Sequence, residues 1–124
     1  MSKKVLIAED SSVIQNLTKK ILQMQNFDIS AAKNGQQVLD VLQDEHFDLI
    51  LMDINMPVMD GMECTRNIRA MTDPEKARIP IIAITGNAKN YSIAEFKEAG
   101  IDDYLPKPLN FDVLVEKVKK YTEG

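Results

Sequence analysis

The sequence predicts an α/β domain built on a doubly wound, five-stranded parallel sheet, and three observations predict it. Short apolar runs alternate with amphipathic stretches five times, the first, third and fourth runs are almost unbroken in apolar residues, and no repeat, low-complexity tract or linker interrupts the alternation. An unbroken apolar run marks a strand covered on both faces, which is the condition of strands in a parallel sheet. Alternating strand and helix units then place helices on both faces of that sheet.

The strand runs are residues 5–8, 29–32, 47–52 and 79–84, with a weaker one at 104–105. After the first, Ile14, Leu17, Ile21 and Met24 recur at helical spacing, and Phe111, Leu114, Val118 and Tyr121 do so near the end. Ser12 with Gln15, Asn34 with Gln37 and Ser92 with Glu95 stand at capping-box spacing and mark helix starts. Gly100 is placed to end the helix that begins near Ser92. Periodicity leaves the strand order open, and 2-1-3-4-5 is a common solution for five such units. The alternation fills the chain, so residues 1–124 are expected to form one domain with one core.

Composition narrows the function. The chain is 44% hydrophobic and 27% charged, as in a globular protein, and no apolar run reaches the ~18–20 residues of a membrane span. The basic start followed by residues 5–8 is cut short by Glu9 and Asp10, too early for a signal peptide, so a cytoplasmic location is expected. With Cys64 as the one cysteine there is no internal disulfide and no thiolate metal cage. A net charge of −4 argues against direct nucleic-acid binding, and Lys117, Lys119 and Lys120 suit the end of a helix better than a phosphate patch. The Met1 start and compact end favour a free-standing protein.

In open α/β sheets ligands bind at the carboxyl ends of the strands. Here those ends are polar: Glu9 and Asp10 after the first strand, Asp53 and Asn55 after the third, Thr85 after the fourth and Lys107 after the fifth. If strands one and three are neighbours, three carboxylates gather, and at ~5 Å and an effective dielectric of ~20 each charged pair costs about 3 kcal/mol. A hard, oxygen-loving dication offsets that repulsion, and carboxylates with a carbonyl and waters suit Mg²⁺, with Mn²⁺ as the alternative. A metal held there can coordinate a phosphoryl oxygen while Asp53 attacks phosphorus in line. Lys107 would neutralise phosphoryl charge and the Thr85 hydroxyl would donate to a phosphoryl oxygen after transfer.

Each residue also has a plainer reading. Asp10 serves equally well as a helix cap, Asp53 as a turn residue before Gly61, and Lys107 as a solvated side chain. His46 reads as a surface residue and the scattered methionines as packing. What the plainer readings leave unexplained is five polar positions together at strand ends.

These residues resemble the response-regulator receiver domains of two-component signalling, over essentially the whole chain. The run VLIAED at residues 5–10 resembles that family's first strand with its acidic pair, and DINMPVMDG at residues 53–61 its phosphorylation loop. Thr85 resembles the switch hydroxyl, Tyr104 the switch aromatic, and Lys107-Pro108 the lysine-proline pair with its cis bond. The resemblance implies a flavodoxin-like (βα)5 fold in the order 2-1-3-4-5, the family's own order. It implies Mg²⁺ on Asp10, Asp53 and the Asn55 carbonyl, with Glu9 acting through water. It implies a phosphoryl donor that is a histidine kinase or a histidine phosphotransfer protein, a downstream protein target, no nucleic-acid or membrane contact, and slow self-dephosphorylation in place of enzymatic turnover. Two departures stand out: Glu9 is longer than the Asp often found there, and Gly86 stands where Ala is frequent, which loosens the loop after Thr85. Asn55 and Asn87 are candidates to position or block the hydrolytic water.

Two other classes are weighed against this reading. A flavin- or nucleotide-binding domain of the same architecture needs a phosphate-cradling loop after strand one, where this chain has Glu9-Asp10. An aspartyl phosphatase needs a second acid near its nucleophile, where this chain has Asn55.

Overall fold

The structure is a computed structural model, and it describes residues 2–86 and 92–123. Five parallel strands, β1 (Lys4–Ala8), β2 (Asp28–Ala32), β3 (Leu49–Asp53), β4 (Ile81–Thr85) and β5 (Asp103–Pro106), form one sheet in the order β2-β1-β3-β4-β5. The helices are α1 (Ser12–Met24), α2 (Gly35–Asp44), α3 (Gly61–Arg69), α4 (Pro74–Ala77), α5 (Ile93–Ala99) and α6 (Phe111–Thr122). The short α4 is additional to the five expected helices. Asp73 caps it by accepting from the Glu75 N–H, and Pro74 supplies a first-turn residue that needs no N–H partner.

The alternating side chains of each strand divide the core into two layers. Val5, Ile7, Leu49, Leu51, Ile82 and Ile84 pack with Leu22 of α1 and with Leu114 and Val118 of α6. Leu6, Ala8, Ile50, Met52, Ile81 and Ala83 pack with Val38 of α2, Ile68 of α3 and Phe96 of α5. This is why β1, β3 and β4 read as continuous apolar runs: both of their faces are covered. Phe47 and Ile79, expected inside strands, precede them and are buried as core residues. Pro80 has no N–H for the ladder, which sets the start of β4 just after it.

The periodic stripe lies at the edge of the face that α1 buries: Ile14 and Ile21 are half-buried, while Leu17 and Met24 are exposed. The residues the helix buries are Gln15, Thr18 and Leu22, whereas Val13 and Met24 are 78% and 80% exposed. The helix period was visible, but its wet and dry faces were not, because the buried side carries two polar residues whose hydrogen bonds are satisfied inside the fold. Its cap is Ser11, accepting from the Ile14 N–H, and Ser12 opens the helix. Asn34 caps α2 as expected, and Ser92 with Glu95 forms a complete capping box on α5. Gly100 ends α5 with a φ of 102°, and its tight approach to Arg69 leaves no room for a side chain. No helix among the described residues is long and apolar enough to cross a membrane.

Candidate functional site at the carboxyl ends of the strands

Three chain segments converge where β1, β3 and β5 end. Asp53 is the last residue of β3 and is only 1% exposed. Its Oδ1 accepts the Asn55 N–H at 3.0 Å, an interaction inside the turn, and its Oδ2 accepts from Lys107 Nζ at 2.9 Å. The turn closes on Gly61, whose N–H reaches the Ile54 carbonyl at 2.9 Å. A Cβ on Gly61 would lie 2.5 Å from the Asp53 carbonyl oxygen, so only glycine fits.

Glu9 is as deeply buried as Asp53, also at 1%. Its Oε1 accepts the Ser11 N–H at 3.1 Å, while Oε2 lies 3.6 Å from Lys107 Nζ and has no hydrogen-bond partner among the described residues. Asp10 is exposed, and Glu9, Asp10 and Asp53 each offer an oxygen within 4.8 Å of the others. Burial, and secondarily the neighbouring Asp53 carboxylate, push the Glu9 carboxyl up to about 7, against the pull of the Ser11 N–H and Lys107. For Lys107 burial acts downward, but the hydrogen bond and charge of Asp53, with Glu9 behind them, outweigh it and raise its pKa.

One ammonium against three carboxylates leaves negative charge uncompensated, and one buried carboxylate oxygen has no donor among the described residues. That donor set is all oxygen and partly open to solvent, which fits a hard dication such as Mg²⁺ that keeps some of its waters.

The remaining expected residues fall around this cluster. Thr85 is buried at the end of β4, and its carbonyl accepts the Lys107 N–H at 2.9 Å. The Lys107-Pro108 bond is cis. Gly86 leaves ordinary contact distance to Lys107, since a Cβ would sit 3.5 Å from its Cδ, so an alanine fits there too. Tyr104 is half-buried on β5, its ring stacked on Phe96 at 6.0 Å between centroids and its carbonyl accepting from Lys117. Asn87 lies outside the described residues. His46 is exposed and lies 3.3 Å from Glu75. Lys119 and Lys120 stand in the last turn of α6 as expected, whereas Lys117, one turn earlier, bonds Asp103 at 2.8 Å. Gln15, at capping-box spacing from Ser12, does not close a cap: its side chain reaches the carbonyls of Glu9 and Ala32.

The family description "response regulator receiver domain" matches residues 5–119. The chain belongs to the response-regulator receiver domain family. Receiver domains are the regulatory switches of two-component phosphorelays. Among curated relatives, hybrid signal transduction histidine kinase I of Dictyostelium discoideum is 41% identical over 97% of this chain, and the chain spans 7% of that kinase's length. The receiver domain of the Pseudomonas aeruginosa PAO1 sensor histidine kinase PA1611 is 31% identical with a TM-score of 0.89, covers 100% of both chains, and carries a magnesium ion coordinated in its active site cleft. The receiver domain of Ssk1, solved in a co-crystal with the Saccharomyces cerevisiae histidine phosphotransfer protein Ypd1, is 27% identical with a TM-score of 0.86, covering 98% of this chain and 89% of that one.

Proposed function

We propose that residues 1–124 are one receiver domain in which Asp53 takes a phosphoryl group from the phosphohistidine of a histidine kinase or a histidine phosphotransfer protein. The observation that carries this reading is a buried carboxylate, Asp53, bonded to Lys107 Nζ at 2.9 Å and sharing a 4.8 Å oxygen cluster with Glu9 and Asp10. The kinase and phosphotransfer contexts of the relatives support the donor class.

In the transfer an Asp53 carboxylate oxygen attacks phosphorus in line. A P–O bond forms as the P–N bond to the donor imidazole breaks, and the bonding pair leaves with the imidazole nitrogen. Bound Mg²⁺, or Mn²⁺ in its place, held by Asp10, Asp53 and the Asn55 carbonyl with Glu9 close by, would neutralise charge on the phosphoryl oxygens. Lys107 gives up its hydrogen bond to Asp53 Oδ2 and turns it on the phosphoryl group, and the Thr85 hydroxyl donates to another phosphoryl oxygen. Water later cleaves the acyl phosphate slowly, so the chain acts once per phosphoryl group received and is not a turnover enzyme.

The donor has an apolar seat beside the acceptor. Val13 and Leu17 stand exposed on α1, and Ile14, Leu17, Pro108 and Phe111 line a groove of about 260 Å³ that also contains Lys107. The output lies elsewhere. Phosphorylation adds about −1.5 to −2 charges at neutral pH, and new charge-assisted bonds from Thr85 and Lys107 contribute ~1.5–3 kcal/mol each. Their sum is comparable with the ~5.5 kcal/mol that inverts a 1:99 equilibrium. Thr85 moves toward the phosphoryl group, Tyr104 turns inward, and the face formed by α5, β5 and α6 changes for a downstream protein target. We assign the chain to the cytoplasm, with no contact to nucleic acid or membrane.

The test is incubation with a small phosphodonor and Mg²⁺ followed by mass spectrometry. A single phosphoryl adduct that hydroxylamine removes, present in the wild type and missing from Asp53→Ala, is expected. An adduct that persists in Asp53→Ala would overturn the assignment.

A further inference from the structure

The parallel ladder between β1 and β2 ends at Ala8 and Ala32, and the Glu9 N–H extends it by one bond, to the Ala32 carbonyl at 3.0 Å. Beyond that bond the β1–β2 ladder does not continue among the described residues, and the acids of the site are Glu9 itself and Asp10 after it. A helix residue takes over. Gln15, in the first turns of α1 and only 8% exposed, donates from Nε2 to the Glu9 carbonyl at 3.0 Å and to the Ala32 carbonyl at 3.0 Å. Both neighbours are acceptors, so the amide orientation is fixed: the nitrogen, with its two hydrogens, must face them.

The segment is held from the other side as well. Glu9 Oε1 accepts the Ser11 N–H at 3.1 Å, and the Ser11 carbonyl accepts the Gln15 N–H at 2.9 Å. Residues 9–11 therefore form a short arch whose two ends both return to Gln15, once through its side chain and once through its backbone. Asp10 is at the crown of this arch and is exposed, so its carboxylate is placed by the backbone beneath it and not by packing. Mg²⁺ demands near-octahedral geometry at about 2.0–2.1 Å, and a misplaced carboxylate is felt at about 0.5 Å.

We infer that Gln15 is a positioning residue of the phosphoacceptor site: its buried side-chain amide, bonded to the carbonyls of Glu9 and Ala32, sets the two acids that follow β1 for the divalent cation. The inference rests on the proposed Mg²⁺ reading of the cluster. Its chemistry is that of groups that orient ligands from behind, whose loss typically costs 10–100-fold in metal affinity.

The experiment compares the wild type, Gln15→Met and Thr18→Val. Methionine keeps the length of Gln15 without its donors. Thr18 is also buried on the same helix face, but among the described residues its hydroxyl bonds its own helix, at the Ile14 carbonyl. Magnesium chloride is titrated into each protein by calorimetry, urea unfolding is measured on each, and phosphorylation by a small phosphodonor is followed against Mg²⁺ concentration. Gln15→Met is expected to bind Mg²⁺ about tenfold more weakly and to need about tenfold more Mg²⁺ for half-maximal phosphorylation, with the rate at saturation within about twofold of wild type. Thr18→Val is expected to keep wild-type Mg²⁺ affinity whatever stability it loses. Unchanged affinity in Gln15→Met, or an equal loss in Thr18→Val, overturns the inference while leaving the site reading intact. A wild type that binds no Mg²⁺ overturns the site reading itself and the inference with it.

Discussion

Lys107 and Asp53 are 54 positions apart in the chain, yet Nζ of one lies 2.9 Å from Oδ2 of the other at the mouth of the sheet. The contact exists because β4 lies between β3 and β5, bringing the residues at their carboxyl ends to one edge. On the proposed reading, the ammonium would meet phosphoryl charge from that side of Asp53. Lys107→Ala is therefore expected to keep Mg²⁺ binding within about threefold and to slow phosphorylation by about a hundredfold, the usual effect of losing one charge-stabilising donor. Initial rates of adduct formation at saturating Mg²⁺ would check this, and a variant as fast as wild type would refute it.

Glu9 holds a buried charge with one oxygen lacking a donor among the described residues, close to a second buried carboxylate. Replacing it with Gln removes the charge and keeps the shape. Glu9→Gln is expected to raise stability without added metal by about 1–3 kcal/mol at pH 8 and to weaken Mg²⁺ binding. Urea unfolding with and without magnesium chloride gives both numbers. A loss of stability in metal-free buffer would show that the carboxylate is better compensated than its contacts indicate.

Two glycines near the site make a paired test. A Cβ on Gly61 would meet the Asp53 carbonyl oxygen at 2.5 Å and the Ile54 Cα at 2.9 Å, both backbone atoms that cannot step aside. Gly61→Ala is expected to cost about 3 kcal/mol and to disturb the acceptor loop. Gly86→Ala meets only the Lys107 side chain at 3.5 Å and is expected to stabilise by about 0.5 kcal/mol through the unfolded chain. Thermal or urea unfolding separates the two signs.

Asp103 links β5 to α6. It accepts from Lys117 Nζ at 2.8 Å, from the Tyr104 N–H at 2.8 Å and from the Tyr121 hydroxyl at 3.2 Å. Burial pulls its pKa upward, but these bonds outweigh burial and hold it below the ordinary 3.8. Between the two values the unfolded chain binds more protons, so the stability Asp103 contributes is present above pH 3.8 and is lost as the pH falls through its folded value. Asp103→Asn is expected to cost about 1 kcal/mol at pH 7 and to show a shallower loss of stability on acidification below about pH 4. Urea midpoints for both proteins between pH 7 and pH 3 would show the curves converging, and parallel curves would contradict the assignment.

Most of the architecture was legible because burial on two faces leaves a mark on each strand separately. β1, β3 and β4 announce themselves as unbroken apolar runs, and Ser92, Glu95 and Gly100 bracket α5 with local chemistry alone. α1 shows the limit of that approach. Its apolar stripe is real, but Leu17 and Met24 lie outside, Ile14 and Ile21 are only half-buried, and the buried face carries Gln15 and Thr18. A polar residue can be buried at no net loss when carbonyls on other segments accept its hydrogens, and those carbonyls belong to Glu9 and Ala32, which one-dimensional periodicity does not connect to position 15.

The sequence by itself determined the strand and helix alternation, the acids and the lysine at strand ends, and the family, since each depends on residue type and local spacing. Only the tertiary structure decided that Glu9, unlike Asp10, is buried, with one oxygen that has no donor among the described residues, that Lys107 bonds Asp53, that Lys117 is tied to Asp103, and that Gln15 clamps the first strand to the second. The reason is physical: the first group depends on forces along a few residues of chain, whereas the second depends on which segments the sheet brings together and on how much water remains between them.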